Sequence, residues 1–321
     1  MRVGIFGRGG NAEVCALRDA LVRQGATVTI VDFHGVPHLH TVTWGDRCFF
    51  DDIKLRDPIA MRDQDAWHLR AAAQEPMSDA AAAGATYETI ARHHRKQVAR
   101  LALQLAFARH LARRVPVVNP PDAFRFHRQK AYQHTLLVRH GIPTPETVVT
   151  ASVDDARSFV RRWNGRAVAK PQSSGAEVVL ADPSFLETFA LRSEGRPTMF
   201  QQYVRGSSYR AYVLGGRIVS MGHIVPEPGY VDWRERVRSV ARMRPSDALA
   251  QQVAKAVRLL DLPCCGVDIE HDEATDRDYL LDFNPAAMFV AWSKRIGDDV
   301  PGEIARYLVA CARSGEVCWS T

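Results

Sequence analysis

Asp282 and Asn284 stand two residues apart in LLDFNPAAM, which reads as an apolar strand stopping at Pro285. Side chains alternate along a strand, so Leu280, Asp282 and Asn284 are expected on one face, with Leu281 and Phe283 on the other. An acid beside an amide is costly to bury unless both are paired. One reading is a strand end whose polar groups bind loop backbone. The preceding strand offers another. In CCGVDIEH, Asp268 and Glu270 share the face opposite Val267 and Ile269. If the two strands pair about the loop DEATDRD, Asp268 meets Asp282 at one level. Two carboxylates and an amide crowded together repel unless a cation lies between them. Hard oxygen donors suit Mg²⁺, with Mn²⁺ as the alternative, and phosphate and water usually complete such a shell.

A metal platform of this kind calls for phosphate contacts. The cations of this chain are mostly Arg, and its six lysines are Lys54, Lys96, Lys130, Lys170, Lys255 and Lys294. A Lys in an Arg-dominated chain can mark a place that needs a compact point charge. Lys170 ends the strand AVAK, and the following SSGA, with Ser174 in it, could cradle phosphate oxygens with its backbone. Lys130, in HRQKAY, stands near the start of a helix. Each alone could be an exposed surface charge; together with the carboxylate hairpin they read as a pair flanking a polyphosphate.

The elements that must position these groups follow from periodicity. RVGIFG, a GRGGN turn, a helix from Ala12 to Gln24 and the strand ATVTIVDF make a β-α-β opening. The turn precedes a helix N-terminus, where anions can bind, but the later glycine of a dinucleotide fingerprint is missing. Asp65 to Arg114 is rich in Ala, Arg and Gln and is expected to be helical, with breaks near Ser78 and Gly84. VPVVNPPDAF gives a short strand and a proline break. A helix from Gln129 to His140 stops at Gly141. Strands follow at ETVVT, RAVAKPQ, AEVVLAD and TMFQQYV, then a Gly-Gly hairpin of YRAYVLGG with RIVSMGHIV. A helix spans Ser246 to Leu260, the carboxylate hairpin follows, and a helix over Asp299 to Ala312 closes the chain.

Composition narrows the function classes. The 321 residues, 46% apolar and 24% charged, suit a globular protein of two or three domains. No apolar run could span a bilayer, and the start of the chain is not a signal peptide. Six cysteines without a C-x-x-C pair read as reduced thiols in a cytoplasmic protein. Cys264 and Cys265, near the carboxylate strand, are expected to pack as small residues. His34, His38 and His40 carry no zinc-ligand spacing. The net charge of +6 is scattered, so it speaks for an anionic substrate and against nucleic acid.

Taken in order, NPP…HRQKAYQHTLLVRHGIPTPET, VAKPQSSG, QQYVRGSSYRAYVLGGRIV and GVDI…YLLDFNP resemble the ATP-grasp superfamily over roughly residues 115 to 312. The nearest branch is that of the ribosomal-protein glutamate ligases and microviridin-type peptide maturases, and VDWRERV is similar to the D-W-R segment of the latter. The resemblance implies an α/β and α+β architecture: a Rossmann-like front domain over 1–115, a small ATP-grasp lobe over 116–205, and a C-terminal lobe with the metal site over 206–321. It implies that Lys130 and Lys170 hold the α- and β-phosphates and that Gln201, Gln202, Tyr203 and Val204 form the hinge whose backbone reads adenine. Arg210 and Arg234 would face the γ-phosphate, and Asp268, Asp282 and Asn284 would bind Mg²⁺. Five places depart from the family pattern: the loop after Lys170 is poorer in glycine than usual, residues 286 to 292 (AAMFVAW) lack the usual small-residue pattern, and three single sites differ. The hinge has Gln201-Gln202 where Glu is usual, Ser208 stands where an acid usually contacts ribose, and Asp282 replaces a commoner Glu.

The activity implied is ATP-dependent ligation of a carboxylate to an amine through an acyl phosphate, with ADP and phosphate released. Arg-rich loops point to a substrate with more than one carboxylate, such as glutamate, a glutamyl tail or an acidic peptide. Side-chain crosslinking of a precursor peptide is the alternative within the class. A non-catalytic ATP-binding module is the alternative outside it. The substrates expected are a small-molecule or peptide carboxylate and an amine, with neither nucleic acid nor membrane as partner. Relatives of this kind often assemble, so a homo-oligomer is compatible with the reading.

Overall fold

The structure is a computed structural model and describes residues 1–32, 40–41, 52–55, 58–60, 63–70, 84–127, 129–170, 178–192, 197–227 and 237–320. It divides into two compact units: Met1–Phe124 with Met288–Val290 and Asp299–Thr321, and Arg125–Ala287 with Ala291–Asp298.

The first unit opens as the β-α-β pattern requires. Strand β1 (Arg2–Phe6) is buried beyond its first residue and pairs in parallel with β2 (Thr27–Val31). Between them α1 (Ala12–Arg23) is capped by Asn11, whose side-chain oxygen accepts from the amides of Glu13 and Val14 at 3.1 and 3.2 Å. Three short strands, β3 (His40–Thr41), β4 (Asp52–Leu55) and β5 (Pro58–Ala60), form a separate antiparallel sheet. One expectation fails here. Ala66–Leu69, placed in a helical region by its composition, is a fully buried strand, β6, parallel to β1. The backbone decides this through Gly4 and Trp67. A Cβ on Gly4 would lie 2.2 Å from the Trp67 ring, so glycine lets the indole lie against β1, stacked on Phe6 at 4.4 Å. The long helix appears later, as α2 (Tyr87–Leu111), started by the Thr86 cap. Strand β7 (Val117–Val118) completes the order β2-β1-β6-β7, parallel throughout.

The second unit carries two antiparallel sheets. After a 3-10 segment at Pro121–His127, α3 (Lys130–Arg139) leads to β8 (Thr147–Thr150), α4 (Val153–Arg162), β9 (Ala167–Lys170), β10 (Val179–Leu180), α5 (Pro183–Arg192) and β11 (Thr198–Gln202). The strands take the order β10-β9-β11-β8. Phe159, Phe189 and Phe200 fill the layer between this sheet and its helices. The second sheet orders β14-β13-β12-β15-β16. Strands β12 (Gly206–Leu214) and β13 (Arg217–Pro226) meet at Gly215 and Gly216, both at positive φ as the two-residue hairpin demands. Strand β14 (Val237–Arg242), α6 (Asp247–Leu259), β15 (Cys264–Asp272) and β16 (Arg277–Asn284) follow.

Helix α7 (Val290–Ile296) precedes α8 (Val300–Ser314), capped by Asp299. The sequence grouped this last helix with the C-terminal lobe. Its contacts are with α1, β1 and β6, so the first unit is assembled from both ends of the chain. Helical periodicity defines an apolar stripe without saying which element covers it.

Candidate active site

The terminal hairpin brings the expected acids together. Asp268 on β15 lies directly opposite Asp282 on β16, and Asn284 lies opposite Gly266. The expected alternation is broken, however. Asp268 pairs with Asp282 and Ile269 with Leu280, so Leu281 is a bulged residue. Leu280 and Phe283 are both fully buried, so Leu280 faces the core and not the side of Asp282. The bulge turns Asp282 to the side of Asp268 while Leu280 fills the core.

Facing carboxylates repel, and two cations answer them. Lys130 donates to Asp282 Oδ2 at 3.0 Å, and Arg210 donates to Asp268 Oδ1 at 2.6 Å. Arg210 stands on β12 opposite Asp268, so the register aims it. Gly266 makes room for it, since a Cβ there would meet the guanidinium at 2.8 Å. Burial works to lower the Arg210 pKa, but Asp268, Tyr212 and Asp282 outweigh it, so its charge is held more firmly than usual. Lys130 is the first residue of α3, where a cation opposes the helix dipole. Asp282 offsets that cost, and helix end and ammonium together form a place for an anion.

Lys170 is buried at the end of β9. Its ammonium donates to Gln201 Oε1 at 2.9 Å, and Gln201 Nε2 donates to Thr147 Oγ1 at 2.9 Å. The Gln201 side chain therefore aims Lys170. Nearby, burial and then the Lys170 charge push His134 down to about 4, so this imidazole is neutral and bonded to Thr144 at 3.2 Å. At the hinge, Gln202 and Tyr203 donate their amides to the carbonyls of Glu146 and Arg166, at 2.8 and 3.1 Å. Those two amides are thus engaged within the unit, and Val204 beside them is buried.

Ser208 donates to Glu270 Oε1 at 2.6 Å. Burial pushes the Glu270 carboxyl up to about 7, with the Ser208 bond opposing and Asp268 adding to the rise. Sequence reasoning missed the roles of Thr147, His134, Gly266 and Glu270. Only Glu270 carried a signal, as the second acid on the Asp268 face. Ser174 and Arg234 lie outside the described residues. Cys264 and Cys265 are buried, and burial pushes the Cys265 thiol well up, as packing residues require.

The donor set suits a small hard cation. Asp268 and Asp282 offer two carboxylates on one face, and Mg²⁺ commonly takes one or two carboxylates plus phosphate and water. Asn284 Oδ1 accepts the Ala286 amide at 2.9 Å and so also caps the strand end. Among the described residues there is no cluster of three His, Cys, Asp or Glu that would hold a metal without phosphate. Among them, too, no helix is long and apolar enough to cross a membrane.

The "Probable alpha-L-glutamate ligase" of Parasynechococcus marenigrum (strain WH8102) is 25% identical over 202 residues, 59% of this chain and 42% of that protein. The "Probable alpha-L-glutamate ligase 2" of Hahella chejuensis (strain KCTC 2396) is 25% identical over 212 residues, 62% of this chain and 68% of that protein. The matched stretch thus spans less than half of the first relative's length. The fold matches the ATP-grasp ligase PsnB, solved with a minimal precursor, Mg and ADP, at a TM-score of 0.82, with 24% identity over 97% of both chains. The model of the RimK-like ATP-grasp domain matches residues 127–308, which hold every site residue named here. The chain belongs to the RimK-like ATP-grasp family.

Proposed function

We propose that this enzyme transfers the γ-phosphoryl group of ATP to a substrate carboxylate and joins the resulting acyl group to an amine. The product is an amide, with an amino acid such as glutamate joined to a small molecule or a peptide. One observation carries the reading: two carboxylates on adjoining strands, each held by a cation that phosphate could take over.

In this reading Lys130 and Lys170 hold the α- and β-phosphates, and the SSGA loop with Ser174 covers them. The hinge from Gln201 to Val204 seats adenine. With the Gln202 and Tyr203 amides engaged, backbone recognition falls to Val204 and to carbonyl groups. Ser208 and Glu270 form a hydroxyl–carboxyl pair at the place of the family's ribose contact. Asp268, Asp282 and Asn284 would hold Mg²⁺, which when bound supplies positive charge between phosphate oxygens. Arg210, with Arg234, stabilises charge on the phosphoryl group as its bond to the departing ADP breaks and a bond to the carboxylate oxygen forms. The amine nitrogen then attacks the acyl carbon, and phosphate leaves with the carboxylate oxygen. No side-chain nucleophile is required. Rate comes from fixing both substrates and excluding water.

A second reading, crosslinking of a precursor peptide as ester or amide, is supported by the full-length likeness to PsnB against the partial match to glutamate ligases. Turnover of Mg²⁺-ATP with pooled amino acids, carboxylates and acidic peptides, in the presence of hydroxylamine, tests both. ADP with a hydroxamate establishes carboxylate activation, and the hydroxamate mass identifies the acid. Turnover with the peptide pool alone would favour crosslinking. AMP as product, or nucleotide binding without turnover for any pool, would sink the ligase reading.

A further inference from the structure

The end of α8 folds back on itself and sets two thiols side by side. Gly315 stops the helix at φ 76°, the left-handed conformation that glycine takes without strain. The chain then returns along the turn it has just left. Tyr307 and Cys311 lie four residues apart, on one face of α8. Tyr307 donates its hydroxyl to the Cys318 carbonyl at 2.7 Å, and the Cys318 amide donates to the Cys311 sulfur at 3.3 Å. Ser314 ties the turn together. Its hydroxyl lies 3.0 Å from the carbonyl oxygens of Cys311 and Glu316 and 3.3 Å from the Cys318 sulfur, and it accepts the Glu316 amide at 3.4 Å.

An amide 3.3 Å from the Cys311 sulfur puts the Cys318 Cα within about 5 Å of that sulfur, a span that one side-chain arm and a sulfur–sulfur bond can close. The two thiols differ in access. Cys311 is fully buried, and Cys318 is half-buried near the chain end. Burial pushes the Cys311 thiol up to about 11, with the Cys318 amide opposing and the Cys318 thiol adding to the rise. Cys311 is thus shielded from reagents in solution, and Cys318 is the thiol that a small oxidant reaches.

We propose that Cys311 and Cys318 form a reversible disulfide that staples the C-terminal tail to α8. The pair takes no part in the ligase reading. The oxidant is a low-molecular-weight disulfide such as oxidised glutathione. The Cys318 thiolate attacks one of its sulfurs, forming a mixed disulfide and releasing one glutathione. Cys311 gives up its proton and attacks the Cys318 sulfur, and the second glutathione leaves as thiolate and takes a proton. Two protein thiols are oxidised and one disulfide is reduced to two thiols. The closed loop holds the tail on the helix that packs against α1, β1 and β6.

Trypsin makes the test residue-specific. It cuts after Arg306 and Arg313, so the two cysteines fall in separate fragments, residues 307–313 and 314–321. The full chain is incubated with excess oxidised glutathione at about pH 8.5, where thiolate is available, then alkylated and digested. Mass spectrometry should find the two fragments joined, lighter by two hydrogens than their sum, and separated by dithiothreitol. Hydrogen exchange at the amides of residues 316–320 should slow at least about tenfold on oxidation and recover on reduction. Cys311→Ala should stop at a glutathione adduct on Cys318. Because that change empties buried space in α8, Cys318→Ser, at the half-buried position, is the deciding variant, and there Cys311 should stay a free thiol. Free thiols at both positions after oxidation, a glutathione adduct that persists on Cys318 in the unaltered chain, or either cysteine joined to a different one would overturn the pair. Joined fragments with unchanged exchange in the tail would overturn the staple.

Discussion

Lys170 depends on a neighbour that sequence spacing could not name. Its ammonium is buried and bonded to the Gln201 carbonyl oxygen, itself fixed by Thr147. Gln201→Leu should therefore leave the fold intact and lower ATP-dependent turnover by about tenfold, the effect of one lost bond to a charged group. Lys170→Ala should abolish turnover. Steady-state ADP release, with circular dichroism to confirm folding, checks both, and full activity in Gln201→Leu would show that Lys170 needs no aiming. The two lysines were legible in sequence because Lys is rare here and both flank regular elements. Gln201 was legible only as a hinge position, since its partner Thr147 lies on another strand.

At the scale of elements, the β15–β16 hairpin shows what periodicity can and cannot do. Alternation places Asp268 with Glu270 correctly. It fails at Leu281, where one extra residue reverses the side on which Leu280 lies. Gly266 completes the hairpin by clearing space for Arg210. Gly266→Ala should displace that guanidinium, lower turnover and cost about 1–3 kcal/mol of stability. Denaturant melts and ADP release check this, and a neutral result would mean that Arg210 has another route to Asp268. Two histidines tie elements to pH. His68 on β6 is pushed down to about 3 by burial and then by Arg70, and His134 on α3 to about 4 by burial and then by Lys170. Both pKa values fall on folding, so the unfolded chain takes up protons first. The histidine contribution is full above about pH 6.5 and declines as pH falls toward 4, by about 1.4 kcal/mol per pH unit for each within its window, while Glu270, raised to about 7, gains stability as pH falls from 7 toward 4.5 and offsets part of that decline. Urea melts at pH 7 and pH 5 should show the decline, and His134→Asn should make it shallower. A pH dependence unchanged by His134→Asn would contradict the neutral assignment of that histidine.

For the whole molecule, the discontinuous first unit is the consequential feature. Helix α8 packs on α1, β1 and β6, and buries Ile304, Leu308 and Val309. Removing residues 299–321 should expose the apolar faces of the β2-β1-β6-β7 unit while sparing the β12–β16 sheet. Hydrogen exchange should then show protection lost in β1, β6 and α1 and kept in β12 and β15. Protection retained in β1 would mean that the first unit folds without α8. The lobe boundaries expected at 115 and 205 stay a proposal about how the chain is parcelled; the contacts speak only to the two compact units.

The sequence by itself determined the elements whose signals are local. Glycine turns, caps and alternation are local, so α1, the Gly215–Gly216 hairpin and the carboxylate hairpin could be read from short windows. The ordered stretches from HRQKAYQHTLLVRHGIPTPET through VAKPQSSG and QQYVRGSSYRAYVLGGRIV to YLLDFNP carried the resemblance to the family. Only the tertiary structure decided which groups meet. It joined Lys130 to Asp282 across 152 positions, made Ala66–Leu69 a strand by packing Trp67 over Gly4, and set Arg210 opposite Asp268. Such pairings depend on register and on what covers each face, and those are set by the whole sheet, not by any single segment of the chain.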